Sequence, residues 1–503
     1  MSPVILFSFV IAYFIVLLAV AWYTSKGSNN ESFFIGNKKS NWMLVAFGMI
    51  GTSLSGVTFV SVPGLVGSSN FFYFQIVLGY LLGYIVIAFV LMPLYYKMNL
   101  TSIYTYLEKR LGINAHKVGA SFFILSRMVG ATARLYLVIN ILQIFILNKL
   151  GVPFILTTFI ILVMIMLYTF EGGVKTIIYT DTLQTTGMLV GLIACIFVVI
   201  KSLDTNFLGA LQMIDKKGYT QIFNTDYKSG SFFLKHILGG MFIAIAMTGL
   251  DQEMMQKNIS VKNLKDAQKN MMSFTSVLLV VNLLFLFLGG ILYLYAQKMN
   301  INVPPDDLFP TIALGNELAG GIGIIFIIAL ISALFPSVDG AITSLTSCFC
   351  IDILHLNTNS QIESKKKKTR LIVHFTFAAL FFLLVLIFKA INDKSIIDFI
   401  LKFAGITYGP LLGLFSFGIL TKRSLRQNLI WVVCIIAPFS IMCIDALSSP
   451  EWYEKKLHIS LGLQTVSNSI FNGYKIGNEL VLINGIVTFI GLLIISKKTI
   501  SKA

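Results

Sequence analysis

Residues 42–64 read WMLVAFGMIGTSLSGVTFVSVPG, and the middle of that run decides how the chain must fold. The flanks are apolar, as in a membrane-crossing helix, which needs roughly 20 such residues. The centre is Gly51-Thr-Ser-Leu-Ser-Gly56, with Pro63-Gly64 following. Two glycines and three hydroxyls are poor material for an unbroken helix, yet the flanks place them deep in the apolar run. Unwound backbone at membrane depth is tolerated only where protein or a cavity satisfies its polar groups. A second segment, 236–250, has the same character, with Gly239-Gly240 inside and Thr248-Gly249 at its end. Short, glycine-interrupted spans at matching places in two halves point to a binding site buried in the membrane.

Working outward, thirteen apolar stretches lie near 3–23, 42–64, 70–95, 118–148, 153–170, 176–200, 236–250, 271–297, 318–352, 371–390, 396–420, 428–446 and 479–496. The expected fold is an all-α polytopic membrane protein of 13 transmembrane helices, a single domain over 1–503. The two interrupted spans are five apart. Residues 42–200 and 236–420 therefore read as two five-helix repeats of opposite orientation, with 3–23 an extra N-terminal helix and 428–496 two C-terminal helices.

Composition agrees. Hydrophobic residues are 56% of 503 and charged ones 12%, too little charge to cover a soluble surface. The net charge of +16 is explained by placement. With the N-terminus outside and the C-terminus cytoplasmic, Lys and Arg are about twice as numerous on inner segments as on outer ones, which is the positive-inside pattern. The opposite orientation reverses that bias. Nothing basic remains for a nucleic-acid partner to explain. The Lys365–Lys368 run is expected to anchor the cytoplasmic face. The stretch 3–23 has no preceding basic residue or small-residue cleavage site and reads as a retained span in a cell-membrane protein. Cys195, Cys348, Cys350, Cys434 and Cys443 lie in apolar spans without zinc-ligand spacing and read as packing residues.

Ionisable groups inside spans cost about 2.5–3.5 kcal/mol each on insertion scales, so each needs a reason. Arg127 and Arg134 are seven apart and share one helix face, where they either bind a substrate carboxylate or pair with internal acids. Lys402 is expected to snorkel to the outer interface. Asp181 opens the sixth span, and Asp339 lies well within the ninth, in Pro336-Ser-Val-Asp-Gly340. A hard cation such as Na⁺ takes carbonyl, hydroxyl and carboxylate oxygens. The ninth span offers Ser332, Ser337, Asp339, Thr343 and Ser344, near a proline that frees the Ser332 carbonyl. The plainer reading has those hydroxyls bonded back to their own helix.

Several of these motifs together resemble the sodium:solute symporter family, which includes sodium–glucose, sodium–proline and sodium–sialic acid transporters. The resemblance covers nearly all of the chain. It rests on Gly51-Thr-Ser-Leu-Ser-Gly56 with Pro63-Gly64, and on Glu171-Gly-Gly173 with Tyr179-Thr-Asp-Thr-Leu-Gln184. It rests also on Asp251-Gln-Glu-Met-Met-Gln-Lys257, Thr346-Ser-Cys-Phe-Cys-Ile-Asp352 and Phe403-Ala-Gly-Ile-Thr-Tyr-Gly-Pro-Leu-Leu-Gly413. It implies an outward N-terminus and the inverted-repeat fold of the leucine-transporter type. It also implies a shared sodium site between the broken second span and the ninth, at the carbonyls of Gly51, Leu54 and Ala333 and the hydroxyl of Ser337. Pro336 stands where the family has a second hydroxyl. Asp339 and Asp181 are expected to compensate as sodium ligands. The resemblance places the substrate at Ser53, Ser55, Thr58, Phe71 and Gln75, with Arg127 near the arginine of the sialic-acid branch.

The function expected is secondary active transport: sodium-coupled uptake of a small polar or anionic organic solute by alternating access. Na⁺ is the coupling ion and no other cofactor is implied, the partners are the solute, Na⁺ and the bilayer, and the chain is expected to act as a monomer. No nucleotide-binding motif is present to make ATP the driving force. An enzyme would show intramembrane histidines or paired carboxylates at helical spacing, whereas His116, His236, His355, His374 and His458 are scattered. Sodium-independent or proton-coupled transport, and a non-transporting solute sensor, stay open because of Pro336.

Overall fold

The computed structural model describes residues 2–26, 30–170, 173–315, 321–356, 363–391, 396–457 and 462–498. Glu171, Gly172, His458 and residues 318–320, named above, lie outside the described residues.

In chain order the helices that matter are α1 (Pro3–Ser25), the pair α2 (Trp42–Ser53) and α3 (Gly56–Ser69), α4 (Tyr73–Lys97), α5 (Ile113–Leu150), α6 (Phe154–Thr169) and α7 (Gly173–Ser202). Then come the pair α8 (Phe233–Gly249) and α9 (Gln252–Ile259), α10 (Leu264–Lys298), the short α11 (Pro305–Leu314) and α12 (Ile322–Ile353). The chain continues with α13 (Glu363–Ala390), the pair α14 (Ile396–Thr407) and α15 (Gly409–Leu420), α16 (Gln427–Ser448) and α17 (Leu480–Ile494). Among the described residues eight helices are long and apolar enough to cross a membrane, and up to eleven segments are if each bent pair is one span; α6 and α17 are shorter apolar helices.

The faces of α7 show why these helices pack as they do. Asp181, Gln184, Thr185 and Met188 point inward and are buried, while Val190, Ile193 and Phe197 point out, Phe197 being 75% exposed. Polar groups inside and large apolar ones outside is the arrangement a lipid solvent selects.

The break at 51–56 is real. Helix α2 ends at Ser53, Leu54 takes φ −88°, ψ 75°, Ser55 is extended, and α3 leaves at 56° to α2. Helix α8 likewise turns by 63° into α9. Asp251 caps α9, its carboxylate accepting from the backbone N–H of Glu253 and Met254 at 2.9 and 3.3 Å, so orphan donors at the helix start are satisfied. That turn corrects one sequence assignment. A span ending at residue 250 puts Lys257 in the loop that follows, but α9 packs against α2 and buries its side chain to 3% exposure.

Close approach of α4 and α8 needs glycine at two positions. A Cβ on Gly79 would lie 2.8 Å from the Met241 nitrogen and 2.9 Å from the Gly240 Cα, and one on Gly83 would lie 2.7 Å from the Ala244 Cβ. Small residues four apart let helix backbones touch where lipid supplies no hydrophobic drive. Gly79→Val is therefore expected to cost at least the roughly 1–3 kcal/mol of an overpacked core. Gly130→Val is the control, since nothing lies within 4 Å of a Cβ there. Folded yield and melting midpoint in detergent should drop for the first and hold for the second.

Lys402 finds its partners within the protein: its Nζ sits 2.8 Å from Asp445 Oδ2 and 4.2 Å from the centre of the Trp452 ring. A carboxylate and an aromatic face satisfy the ammonium within the protein.

Candidate functional site

The α2–α3 break, α4, α5, α8, α10 and the start of α14 enclose a cavity of about 100 Å³. Ser53, Leu54, Ser55 and Thr58 line it from the break, and Tyr73, Tyr80 and Tyr84 line it from α4. Arg127 and Arg134 come from α5, Thr248 from α8 and Asn282 from α10. No Asp or Glu is among its lining residues. Tyr73, Ile397 and Leu401 also line a neighbouring cavity of about 280 Å³, which Lys402, Trp452 and His236 border. One layer of side chains separates the two spaces.

The seven-residue spacing does bring both arginines to this cavity, but their circumstances differ. Arg127 Nη2 makes a direct ion pair with Glu253 Oε2, and its Nη1 lies 3.8 Å from Asp251 Oδ2. Asp251 Oδ2 also accepts the Tyr408 hydroxyl at 2.8 Å. Arg127 is thus committed to internal acids. Arg134 makes no hydrogen bond and no ion pair among the described residues. A guanidinium presented to a cavity whose lining holds no carboxylate matches the planar fork of a ligand acid.

On the other side of the break, α2 abuts α12: a Cβ on Gly51 would be 3.5 Å from Pro336 Cγ. The Gly51 N–H donates to Thr185 Oγ1 at 3.1 Å. Ala333, Ser337 and Asp339 are fully buried on α12. Ser337 Oγ has no hydrogen-bond partner among the described residues, although Ser344, Thr346 and Ser347 on the same helix bond back to carbonyls. An unpaired buried hydroxyl costs about 1–3 kcal/mol.

Next to this lies a buried charged cluster. Lys257 Nζ donates to Asp181 Oδ2 at 2.7 Å and to Thr52 Oγ1 at 2.6 Å, and lies 3.8 Å from Glu253 Oε1. Thr52 in turn donates to Asp181 Oδ2 at 3.2 Å. Asp339 accepts the Tyr168 hydroxyl at 2.9 Å and the Gly340 N–H at 2.5 Å.

Of the residues singled out in the sequence, Ser53, Leu54, Ser55, Thr58 and Arg127 meet at the cavity. Gly51 packs against Pro336, Asp181 bonds to Thr52, and Ala333, Ser337 and Asp339 are buried on α12. Phe71 and Gln75 are not among the cavity's lining residues. Gln75 Nε2 donates instead to the Phe72 and Ser231 carbonyls at 3.0 and 3.4 Å. Sequence reasoning missed Glu253, Lys257, Tyr168 and the three tyrosines of α4. The one available signal was Glu253 and Lys257 at i, i+4, which place two charges on one helix face.

Comparison with known proteins adds a lineage. The model of the Sodium:solute symporter family matches residues 33–435. The chain is 24% identical over 446 residues to the sodium/sialic acid symporter NanT of Aliivibrio fischeri, covering 85% of each. It is 22% identical over 482 residues to sodium/glucose cotransporter 1 of Mus musculus, covering 84% of this chain and 69% of that one. Among solved structures, an outward-open, substrate-bound Na⁺-coupled sialic acid symporter superposes with a TM-score of 0.80 over 98% of this chain and 99% of that one. At 20% identity that likeness speaks for the fold alone.

Proposed function

The chain belongs to the sodium:solute symporter family, and from that membership we propose that it is a sodium-coupled carrier taking up a small carboxylate-bearing, hydroxyl-rich solute. One observation carries the reading. The broken α2–α3 helix presents an acid-free cavity holding the unpartnered Arg134 on one side, and on the other packs through Gly51 against Pro336, the chain neighbour of the unpartnered Ser337 hydroxyl. An anion and a cation can then bind against the same unwound backbone.

In this reading the guanidinium of Arg134 takes the carboxylate, while Ser53, Ser55, Thr58 and Asn282 take hydroxyls. The relatives named as sialic acid symporters support an acid of this kind. The cation cage is the carbonyls of Gly51, Leu54 and Ala333 with the Ser337 hydroxyl, completed by water where Pro336 lacks a hydroxyl. Tyr73, between the inner and outer cavities, is the outer gate of an alternating-access cycle. The chain is a carrier rather than an enzyme. It crosses the cell membrane thirteen times as a monomer, once for each single helix, each bent pair, α6 and α17. The pairs α2–α3 and α8–α9 then occupy equivalent places in two inverted five-helix repeats. Lys and Arg placement puts the N-terminus outside and the C-terminus in the cytoplasm, so a reporter after Ala503 should be cytoplasmic; an external one would remove the repeat assignment.

The test is uptake into proteoliposomes of labelled sugars, amino acids and sugar acids, with sodium replaced by potassium at fixed pH and potential. Sugar-acid uptake that needs an inward sodium gradient is the expected result. Uptake that ignores sodium and follows a proton gradient favours the second reading, to which the missing hydroxyl at Pro336 lends its support. Ser337→Ala should raise the sodium concentration for half-maximal uptake about tenfold or more, the loss of one oxygen ligand worth about 1.5 kcal/mol. Ser344→Ala should leave it unchanged, since that hydroxyl bonds to the Ala341 carbonyl at 3.0 Å.

A further inference from the structure

Sequence reasoning gave Asp181 and Asp339 to sodium, yet a cation already belongs to that place. We infer that the Lys257 ammonium is the resident, tethered cation of the acidic recess around Asp181, and that the chain therefore binds one exchangeable Na⁺ per cycle, not two. The inference rests on the sodium reading above and specifies its stoichiometry.

The geometry is that of an ion in a site. Lys257 Nζ is 2.7 Å from Asp181 Oδ2, 2.6 Å from Thr52 Oγ1 and 3.8 Å from Glu253 Oε1, so oxygens of three helices, α7, α2 and α9 itself, surround one ammonium. The side chains are shut away from solvent: Lys257 is 3% exposed, Asp181 0% and Glu253 1%. A second cation at bonding distance from Asp181 Oδ2 and Thr52 Oγ1 would share its ligands with a like charge in a low-dielectric interior. Asp339 is also engaged, by the Tyr168 hydroxyl and the Gly340 N–H. At residue 340 glycine leaves no side-chain oxygen, and a Cβ there would run into the Glu253 carboxylate. Asp181 Oδ1 and Glu253 Oε1 also lack a hydrogen bond among the described residues, but each belongs to a carboxylate that the Lys257 ammonium already faces, whereas Ser337 is a neutral group. Its hydroxyl is buried, neutral and without a partner among the described residues, on α12 next to Pro336, which packs against Gly51 of the break. One place awaits an ion; the other holds its own.

A lysine serves here because its charge is a compact point on a flexible stem. Carried on α9, it stays with the protein when the cavity changes access. It neutralises Asp181 in each state without drawing on the gradient.

The experiment counts bound ²²Na⁺ on purified protein in nanodiscs at saturation, for the wild type and Lys257→Met. One ion per wild-type chain is expected, rising to two in Lys257→Met as Asp181 recruits the ion its lysine excluded. Two ions on the wild type overturn the proposal, as does a folded Lys257→Met that still binds one. No ion on the wild type removes the sodium reading and this proposal with it. Should Lys257→Met fail to fold, the wild-type count decides alone.

Discussion

Arg134→Ala is expected to weaken binding of a carboxylate solute by roughly thirty- to several-thousand-fold, the 2–5 kcal/mol typical when one partner of a buried charged pair is removed. Arg134→Lys should recover only part of that, because the ammonium keeps the charge but loses the two-pronged hydrogen bond. The contrast with Arg127 makes the result specific. Arg127 is bound to Glu253 and lies 3.8 Å from Asp251, so Arg127→Ala strands two buried acids and should lower folded yield. Whatever binding survives in that variant should fall equally for the acid and for its neutral amide. In Arg134→Ala the acid should lose far more than the amide. An Arg127 variant that discriminates acid from amide, beside an Arg134 variant that does not, would exchange the two roles.

The second large effect is on stability. Asp181→Ala leaves the Lys257 ammonium, 3% exposed, without its 2.7 Å partner, and should destabilise by about 3–5 kcal/mol, the usual cost of breaking a buried pair from one side. Adding Lys257→Met should restore most of it, since replacing both members of a buried pair with apolar groups is often neutral. The single variant Lys257→Met should behave differently again, stable in sodium and weak in potassium, because the ion takes the place of the lost ammonium. Melting midpoints of the three variants in the two salts measure this directly. Equal midpoints in sodium and potassium for Lys257→Met would show that sodium does not reach Asp181.

The sequence carried the breaks well and the pairings poorly, for a physical reason. Gly51 to Gly56 is legible because hydroxyls and glycines inside an apolar run conflict with helix and membrane together. The shared face of Arg127 and Arg134 is legible because seven residues are nearly two turns. Which arginine is free is not, because the acids that bind Arg127 arrive from α9, more than a hundred residues on. Lys257 misled for the same cause. A charged stretch after an apolar span reads as a loop, and only the packing of α9 against α2 shows it to be buried. Gln75 was assigned by family resemblance alone; its amide donates to the Phe72 and Ser231 carbonyls, partners that a linear pattern does not reveal.

The most direct test of the account is thermodynamic. If solute and sodium share the unwound backbone of α2–α3, each must raise the other's affinity by one common factor, and coupling of this kind commonly amounts to about 5–150-fold. Calorimetry on the purified protein, with potassium replacing sodium at constant ionic strength, gives solute affinity with and without sodium, and sodium affinity with and without solute. Two equal ratios, both well above one, are the expected result. A solute affinity indifferent to sodium would contradict it.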